Sequence, residues 1–360
     1  MVKNIVILGF LCLLACFVDS RPSEDKPKPF KWGLVTAGNV SHDFANALGT
    51  LDPEVHQVVA VAGRDLERVK QFAQKFEIPK AYGSYLELAQ DPDVDVAYIG
   101  TINPQHVELT QLMLDHGKHV LLEKPLTMNE KQAQKLIAYA KEKGLFLMEA
   151  LWSRYLPSFQ YVREQVQRGA LGEILSVEAE LGLDNMQFVE RAIKKEFGGG
   201  TVLDIGVYPI QLCQWIFQQA PTSIKAAGKL NDDGVDLEMS AVINYGDNKV
   251  CKIRTSFTTT YKNGATIVGS KGQITMPLFW ITTSIIDVDG TKKTWPLPKP
   301  KYDTNFMNSA GFRYEAEAVR QSISEGKLEN EVASHAESLQ LARIEDEIRR
   351  QIGVRYPQDD

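Results

Sequence analysis

The sequence is poor in cysteine and has no excess of basic residues, and both shortages exclude whole classes of protein. Four cysteines in 360 residues are too few for a disulfide-built scaffold, and no cysteine or histidine cluster has the spacing of a metal site. The formal net charge of −6 argues against a nucleic-acid partner, because neutralising phosphates requires a basic surface. We therefore expect a globular protein with neither a metal nor a nucleic-acid partner.

Long apolar runs are also scarce, and the one that stands out lies at the N-terminus. The run at 5–18 follows a lysine and is shorter than the roughly 20 residues that a membrane helix needs. Val18 and Ser20 suit the two specificity positions of a signal-peptide cleavage site. We predict a secretory signal peptide at 1–20, in preference to an uncleaved anchor, followed by a polar linker at 21–29.

This prediction decides the expected compartment and the number of cysteines in the mature chain. We expect a protein of the secretory pathway, either secreted or held in the endoplasmic reticulum lumen, with no membrane span once mature; an unused signal would leave it cytoplasmic. Two cysteines lie inside the signal, so only Cys213 and Cys251 remain. Their wide separation and apolar neighbours are more typical of buried thiols than of a disulfide.

The rest of the chain has an ordinary globular composition, 44% hydrophobic and 24% charged, and is long enough for two domains. From Lys31 to Ala150, short apolar strands alternate with amphipathic helices, which is typical of parallel βαβ units in an α/β fold. We predict a doubly wound Rossmann domain at 30–150, with strands at 32–36, 56–62, 94–100, 119–122 and 146–149 and helices at 41–49, 66–76, 104–116 and 130–143.

The second half has longer strands separated by hairpin turns, which predicts an α+β domain at 151–360 with a large, mostly antiparallel open sheet. In the predicted strand 250–261, every second residue is apolar or threonine. Such a half-apolar sheet needs a cover, and we expect a second copy of the chain to supply it. The other strands are predicted at 173–183, 224–230, 237–245, 265–269, 273–276 and 285–288, and the helices at 158–168, 204–217, 314–323 and 334–352.

A turn of small residues follows the first predicted strand. Gly33, Ala37 and Gly38 approach the G-x-G-x-x-G dinucleotide motif without matching its spacing. Such a turn brings backbone N–H groups and a helix N-terminus to a pyrophosphate, although an ordinary tight turn has the same composition. After the second strand, Arg64 suits the 2′-phosphate of NADP, whereas Asp65 suits NAD or the cap of the next helix. We favour NADP.

Polar residues also follow the strand at 94–100. Thr101 and Asn103 are placed to bind the nicotinamide ribose, and His106 follows them. The same segment suits plain helix initiation, since Asn103 can cap the helix that Pro104 begins, and His106 is then structural. Both interpretations can hold together.

The apolar strand at 119–122 ends abruptly in Glu123, Lys124 and Pro125. A lysine is rarely placed at the end of an apolar strand unless its ammonium has a task or a partner. The carboxyl edge of a parallel sheet is where open α/β folds bind their ligands. We interpret Lys124 as a functional residue, with a structural ion pair to Glu123 as the alternative.

A glycine-rich loop at 198–200 leads to Asp204 and Tyr208, which the spacing predicts on one face of a helix. A phenol beside an ammonium is a workable acid–base group, because the cation lowers its pKa from about 10. The alternatives are a helix cap and a packed aromatic ring. Trp152 and Arg154, at the junction of the two domains, either line a substrate wall or join the domains.

These motifs, in this order, resemble those of the glucose–fructose oxidoreductase/inositol dehydrogenase superfamily, from about Phe30 to Asp359. A tyrosine at 208, where many members have histidine, is typical of the dimeric dihydrodiol dehydrogenase subgroup, also described as NADP-dependent D-xylose dehydrogenases. The most specific segments are 81–85 (AYGSY), 123–125 (EKP), 145–150 (LFLMEA) and 203–208 (LDIGVY).

The resemblance implies an NADP-dependent dehydrogenase and a homodimer, with a trans-dihydrodiol of an aromatic ring or a sugar such as D-xylose as substrate. Tyr208 takes the hydroxyl proton, Lys124 lowers the pKa of Tyr208, and hydride passes to the nicotinamide. We assign catalysis to Lys124, Tyr208 and Asp204, substrate binding to Trp152, Arg154 and Tyr208, and cofactor binding to Gly33, Ala37, Gly38, Asn39, Arg64, Thr101, Asn103, His106, Glu123 and Lys124.

Asn39 departs from this pattern, because Asn39-Val40-Ser41 is an N-glycosylation acceptor motif inside the phosphate-binding turn. A glycan there would obstruct the cofactor site. A non-catalytic secreted binding protein that keeps the fold is therefore the rival hypothesis. A third hypothesis keeps the enzyme but makes its substrate another sugar or an inositol.

Overall fold

The structure, a computed structural model, describes residues 28–360. The predicted signal peptide at 1–20 and nearly all of the predicted linker at 21–29 lie outside the described residues. Within the described range, no helix is both long and apolar enough to cross a membrane.

Six parallel strands form the sheet of the first domain: β1 (Phe30–Val35), β2 (His56–Ala62), β3 (Lys80–Tyr82), β4 (Val96–Ile99), β5 (His119–Glu123) and β6 (Leu147–Ala150). Their spatial order is β3-β2-β1-β4-β5-β6, so the direction of winding reverses between β1 and β4. Ligands of open α/β sheets bind at this reversal, beyond the carboxyl ends of the strands. The predicted doubly wound Rossmann domain is confirmed.

Five helices cover this sheet: α1 (Asn39–Leu48), α2 (Leu66–Phe76), α3 (Tyr85–Gln90), α4 (His106–Asp115) and α5 (Glu130–Lys143). α5 shows why the sequence predicts them well. Its buried residues recur at helical spacing, the Asn129 side chain accepts the N–H of Gln132, and Gly144 ends the helix in the left-handed region. The predicted bounds of α2 and α5 match the structure, whereas β3 and α3 are too short to show a period.

The second domain contains an eight-stranded sheet in the order β14-β13-β12-β11-β7-β10-β9-β8. All its strand pairs are antiparallel except β7 with β10, which are parallel. The predicted large, mostly antiparallel sheet is therefore confirmed. Its strands are β7 (Ile174–Gly182), β8 (Ser223–Leu230), β9 (Asp236–Asn244), β10 (Val250–Ser256), β11 (Gly264–Gly269), β12 (Gly272–Pro277), β13 (Ser284–Ile286) and β14 (Lys292–Thr294).

The helices of this domain are α6 (Pro157–Gln167), α7 (Glu190–Ile193), α8 (Val207–Phe217), α9 (Phe312–Ser324) and α10 (His335–Ile352). Two of them pack on the sheet, α8 against β7 and β10 and α10 against β8. The apolar face of β10 is buried by this packing, so helices of the same chain supply the cover that we expected from a second copy, and that expectation was wrong for this face. Its other face is polar, where Lys252 and Arg254 form ion pairs with Glu178 and Glu180 of β7.

The strand predicted at 250–261 ends early, at Ser256. The side-chain oxygen of Ser256 accepts the N–H groups of Thr258 and Thr259, which turns the chain away from the sheet. Alternating apolar residues continue past this turn, so the sequence pattern alone extended the strand too far.

Cys213 of α8 and Cys251 of β10 form a disulfide, with their Cα atoms 6.2 Å apart. The interpretation of these residues as free thiols was wrong, although both side chains are fully buried, as their apolar neighbours indicated. The two cysteines are 38 positions apart, and the sequence between them carries no sign that α8 packs against β10. Only the packed helix and sheet bring the two sulfurs together.

A loop of the second domain reaches back to α1 of the first. The carboxylate of Asp43, fully buried, accepts the backbone N–H groups of Asn305 at 2.9 Å and Phe306 at 2.8 Å. The side chain of Asn46 donates to the carbonyl of Tyr302 at 2.7 Å. The start of the first helix and the second domain are thus held together by buried hydrogen bonds.

Candidate active site

Lys124 lies at the carboxyl edge of the parallel sheet, one residue beyond β5. Four of the five residues of β5 are buried, which fixes the strand end, and the Lys124–Pro125 peptide bond is cis. The ammonium of Lys124 donates to the backbone oxygen of Asp204 at 2.5 Å and to the Oδ1 atom of Asp204 at 3.2 Å. A residue of the first domain is thereby tied to the second.

Asp204 sits in a π-helical segment, Val202–Gly206, rather than in the regular helix predicted from 204 to 217. The α-helical part, α8, begins only at Val207. A π-helical bond to the carbonyl of Asp204 would need the N–H of residue 209, which is a proline and has none. Lys124 donates to this carbonyl, so the wider turn serves the site.

Tyr208 faces the same ammonium. The Nζ atom of Lys124 lies 5.3 Å from the centroid of the Tyr208 ring, and the indole N–H of Trp152 donates to the Tyr208 hydroxyl at 3.3 Å. Asp204, Tyr208 and Lys124 therefore meet as the sequence predicted, although the π-helical turn replaces the simple helical spacing. Trp152 is nearly fully buried and bonds to the phenol.

The charges around this cluster keep Lys124 cationic. Burial opposes the ammonium, but Asp204, Tyr208 and Glu123 outweigh it and raise the pKa of Lys124 above its ordinary value. Burial likewise acts against the carboxylate of Asp204, yet Arg191 and Lys124 hold the pKa of Asp204 below its usual range. At neutral pH the two residues form a charged pair.

The pKa of the Tyr208 phenol is shifted in the opposite direction from the one that the sequence led us to expect. Burial raises the pKa of Tyr208, and although Lys124 and the hydrogen bond from Trp152 lower it, the net shift is upward. Lys124 thus lowers the pKa relative to a buried phenol standing alone, not relative to a phenol in water. Tyr208 is protonated at neutral pH.

Two residues that support the cluster escaped prediction. The guanidinium of Arg191, on α7, lies 3.3 Å from the Oδ2 atom of Asp204. The hydroxyl of Tyr98, on β4, donates to the Oε1 atom of Glu123 at 2.5 Å. Glu123 also accepts the N–H of Lys124 at 3.2 Å, so its carboxylate braces the strand end and makes no ion pair with the ammonium. No spacing in the sequence links either residue to its partner.

The turn between β1 and α1 has room for a phosphate. A Cβ atom on Gly38 would come no closer than 3.6 Å to any neighbour, its nearest being the hydroxyl of Thr36. The first-turn N–H groups of α1 have no partner within the helix. Gly33 has another role, because a Cβ there would lie 2.9 Å from the side chain of Val94. Gly38 therefore leaves space at the start of α1 for a pyrophosphate, whereas Gly33 serves packing.

Arg64 and Asp65 follow the end of β2, where we considered two roles, recognition of the cofactor and capping of the next helix. Each of the two residues suits one of these roles. The side chain of Asp65 accepts the N–H of Arg68 at 3.1 Å and caps α2. Arg64 is exposed, and within residues 28–360 its guanidinium has neither a hydrogen bond nor an ion pair. A free cation at this strand end fits the 2′-phosphate of NADP.

The loop after β4 contains Thr101 and Asn103 and leads to His106 at the start of α4. The Thr101 hydroxyl is buried without a hydrogen-bond partner, which leaves it available to a ligand. Asn103 donates to the carbonyl of Gly198 at 2.9 Å. The Nδ1 atom of His106 lies 2.8 Å from the Pro125 carbonyl, and burial lowers the pKa of His106 to about 4, so a neutral imidazole braces the loop.

Arg154, predicted to line a substrate wall, is placed in the interior instead. Its side chain is fully buried, donates to Gln211 at 2.9 Å and to the carbonyl of Val332 at 2.9 Å, and pairs with Glu337. These contacts consume its guanidinium, which holds helices of the second domain together. In the described residues, no group of three or more His, Cys, Asp or Glu side chains is placed to hold a metal ion.

Comparisons with known families cover most of the chain. Residues 30–151 match the model of an oxidoreductase family with an NAD-binding Rossmann fold, GFO/IDH/MocA, and residues 159–275 match the GFO/IDH/MocA C-terminal domain. The trans-1,2-dihydrobenzene-1,2-diol dehydrogenase of Xenopus tropicalis is 44% identical over 329 residues, covering 91% of this chain and 99% of the relative. The human protein of the same name is 42% identical over 332 residues, covering 91% and 98%.

Solved structures share the two-domain architecture. A 3-ketoreductase from Actinomadura kijaniata, in complex with NADP and TDP-benzene, superposes with a TM-score of 0.77 at 26% identity, over 90% of this chain and 98% of that chain. Levoglucosan dehydrogenase, in complex with NADH and levoglucosan, gives a TM-score of 0.79 at 20% identity, over 90% and 97%, and so is similar in fold.

Proposed function

The chain belongs to the GFO/IDH/MocA oxidoreductase family, and from that premise we propose that it is an NADP-dependent dehydrogenase of a vicinal diol or a sugar hydroxyl. The resemblance inferred from the sequence is confirmed by these family matches. The observation that carries the proposal is the meeting of Lys124, Asp204 and Tyr208 at the carboxyl edge of the parallel sheet. A charged ammonium beside a partly buried phenol supplies the acid–base groups that such an oxidation needs.

Residues of the chain itself accept the proton that the substrate hydroxyl loses. Bound at this edge, the oxidised nicotinamide supplies the acceptor for the hydride that leaves the substrate carbon. Tyr208 takes the proton of the substrate hydroxyl, and the carbon–oxygen bond becomes a carbonyl. The base in this step is the phenolate form of Tyr208, which becomes a neutral phenol when it accepts the proton. The ammonium of Lys124 stabilises that phenolate before the transfer, and Asp204 keeps Lys124 charged. In the reverse direction Tyr208 returns the proton.

Different residues hold different parts of the cofactor. Ala37, Gly38 and Asn39 receive the pyrophosphate at the start of α1, and Arg64 receives the 2′-phosphate. The buried, unpartnered hydroxyl of Thr101 bonds to the nicotinamide ribose. The 3-ketoreductase structures with NADP, at 26% identity, support the choice of the phosphorylated cofactor.

The substrate is proposed from the relatives. Proteins 42% to 44% identical to this chain are named for trans-1,2-dihydrobenzene-1,2-diol, so a trans-dihydrodiol of an aromatic ring is the first candidate. D-xylose, which the resemblance implies, is the second. Another sugar or an inositol is the third, and the levoglucosan-bound neighbour shows that the fold itself accommodates a sugar ring.

A homodimer and entry into the secretory pathway complete the proposal. The outer face of the large sheet is not covered by any helix of the described chain, and exposed Val242 and Ile286 lie among its charged pairs. A second copy of the same face would bury them. The apolar run at 5–18 and the Cys213–Cys251 disulfide both favour an oxidising, secretory compartment.

The test is the reduction of NADP by the purified chain from Arg21 onwards, with trans-dihydrobenzenediol, D-xylose and inositol as substrates. We expect turnover with the diol or D-xylose, weaker with NAD, and lost in Lys124→Met. Lys141→Met, which replaces a half-exposed lysine of α5, is the matched control and should keep wild-type turnover. Failure to bind either nucleotide would overturn the proposal that the chain is an enzyme and would favour the non-catalytic binding protein. Nucleotide binding without turnover would overturn the assignment of all three substrates.

A further inference from the structure

The motif Asn39-Val40-Ser41 is the only N-glycosylation acceptor motif in the sequence. The structure places it at the first turn of α1, directly after Gly38, with Asn39 exposed. The side chain of Asn305 donates to the carbonyl of Asn39 at 3.3 Å, so both domains come together at this residue. An exposed asparagine in the only acceptor motif lies where the pyrophosphate is expected.

The hydroxyl residue of the motif is hidden once the chain has folded. Ser41 is fully buried, and its Oγ atom lies 3.1 Å from the Oγ1 atom of Thr36. A glycosylating enzyme must read asparagine and hydroxyl residue together in an accessible, extended segment. Modification of Asn39 therefore has to precede the folding of this turn, which is the order that applies to a chain entering the secretory pathway during synthesis.

A second feature indicates that the chain meets the required compartment. The disulfide between Cys213 and Cys251 is typical of proteins that fold in an oxidising environment. This observation is independent of the N-terminal apolar run and lies in the other domain. The same compartment contains the machinery of N-glycosylation.

We propose that Asn39 carries an N-linked glycan in chains that enter the secretory pathway, and that a chain with this glycan does not bind the dinucleotide. The Nδ2 atom of Asn39 forms a bond to C1 of an oligosaccharide donated by a lipid diphosphate, loses one proton, and the lipid diphosphate leaves. The first sugar is then joined to the backbone at the start of α1 through only three atoms, Cβ, Cγ and Nδ2 of Asn39. Sugar and pyrophosphate compete for this space.

The inference rests on the proposed NADP-dependent function and on secretory entry, and it divides the protein into two forms. Unmodified chains keep an open turn at Gly38 and bind the cofactor. Modified chains keep the fold, because Asn39 is exposed, but lose the phosphate site. The occupancy of Asn39 thereby decides whether a given chain is a dehydrogenase or a protein that only retains the fold.

The experiment produces the full chain in a eukaryotic cell line and compares it with Ser41→Ala from the same cells and with wild type from bacteria. Ser41→Ala removes the acceptor motif, keeps Asn39, and changes only a buried hydroxyl. Intact mass before and after peptide N-glycosidase treatment measures the glycan, and the fluorescence of NADPH titrated into each sample measures binding. A lectin column separates modified from unmodified wild type.

We expect a glycan only on wild type from the eukaryotic cells, and at least tenfold weaker NADPH binding by the lectin-bound fraction than by Ser41→Ala and the bacterial protein. Absence of the glycan from every wild-type chain made by the eukaryotic cells, whether found in the medium or in the cytosol, would overturn the modification. Equal binding by the modified fraction would overturn the competition. Absence of binding by Ser41→Ala and by the bacterial protein would instead overturn the cofactor assignment.

Discussion

Lys124 and Asp204 belong to different domains and lie 80 residues apart in sequence, yet the Lys124 ammonium donates to both the backbone oxygen and the carboxylate of Asp204. This single pair positions the end of a parallel strand against a π-helical turn of the second domain. Tyr208 follows four residues later and faces the same ammonium. The site is therefore a product of domain docking, and each domain alone contains only part of it.

Replacing Asp204 with asparagine tests this pairing. Asp204→Asn removes the negative charge that holds the pKa of Lys124 up, while the amide oxygen still accepts a hydrogen bond. We expect the free energy of unfolding to fall by roughly 1–3 kcal/mol, because a nearly buried ammonium loses its charged partner. Urea denaturation measures this change. Unaltered stability together with unaltered turnover would contradict the role given to Asp204.

The pH dependence of oxidation should follow Tyr208. Burial raises the pKa of Tyr208, so the phenol is protonated at neutral pH and the base form appears only as the pH increases. We expect kcat/KM for diol oxidation to rise with pH through the alkaline range, and carbonyl reduction to be favoured near neutrality. Rate profiles in both directions measure this. A flat oxidation profile between neutral and alkaline pH would count against Tyr208 as the base.

The choice of cofactor should depend on Arg64. Arg64→Ala removes a guanidinium with no partner among the described residues, so the fold should not change. A charged hydrogen bond to a phosphate contributes about 1.5–3 kcal/mol, so NADP binding should weaken roughly tenfold to a hundredfold while NAD binding changes little. Titration of both nucleotides measures the ratio. Equal losses for the two would show that Arg64 does not recognise the 2′-phosphate.

The disulfide should stabilise the second domain. Reducing Cys213–Cys251, or replacing both residues with alanine, releases a loop closed across 38 positions and should lower the free energy of unfolding by about 2–4 kcal/mol. Thermal denaturation with and without dithiothreitol measures the effect. The double alanine variant should no longer respond to the reductant, and a wild-type protein that also fails to respond would show that the two sulfurs are not bonded.

The sequence was sufficient where a local pattern determines the outcome. An apolar strand ending in Lys124 identified the site, and continuous apolar strands with capped helices identified the Rossmann domain, because burial and capping act over a few residues. Such local patterns could not identify Arg191 or Tyr98 as residues of the site. Each supports the cluster through a partner 13 or 25 residues away, which only the folded chain brings within hydrogen-bond distance.

Other features failed because identical residues suit two environments. Arg154 beside Trp152 suggested a substrate wall, but packing in the second domain turns the guanidinium inward. Cysteines in apolar segments suggested thiols, and tertiary contact paired them. The π-helical turn at Asp204 could not be predicted from the local sequence, because it depends on a contact with the other domain. Lys124 donates to the Asp204 carbonyl, which Pro209 cannot bond.

Turnover and NADPH binding by Tyr208→Phe, measured side by side, test the central claim most directly. Because Tyr208 moves the proton and holds no part of the cofactor, kcat should fall by about 10²–10⁴-fold while NADPH binding is retained. Tyr139→Phe, which removes the hydroxyl of a half-buried tyrosine on α5 that bonds to Asp115, should leave kcat unchanged. A Tyr208→Phe protein that oxidises the diol at the wild-type rate would contradict the account.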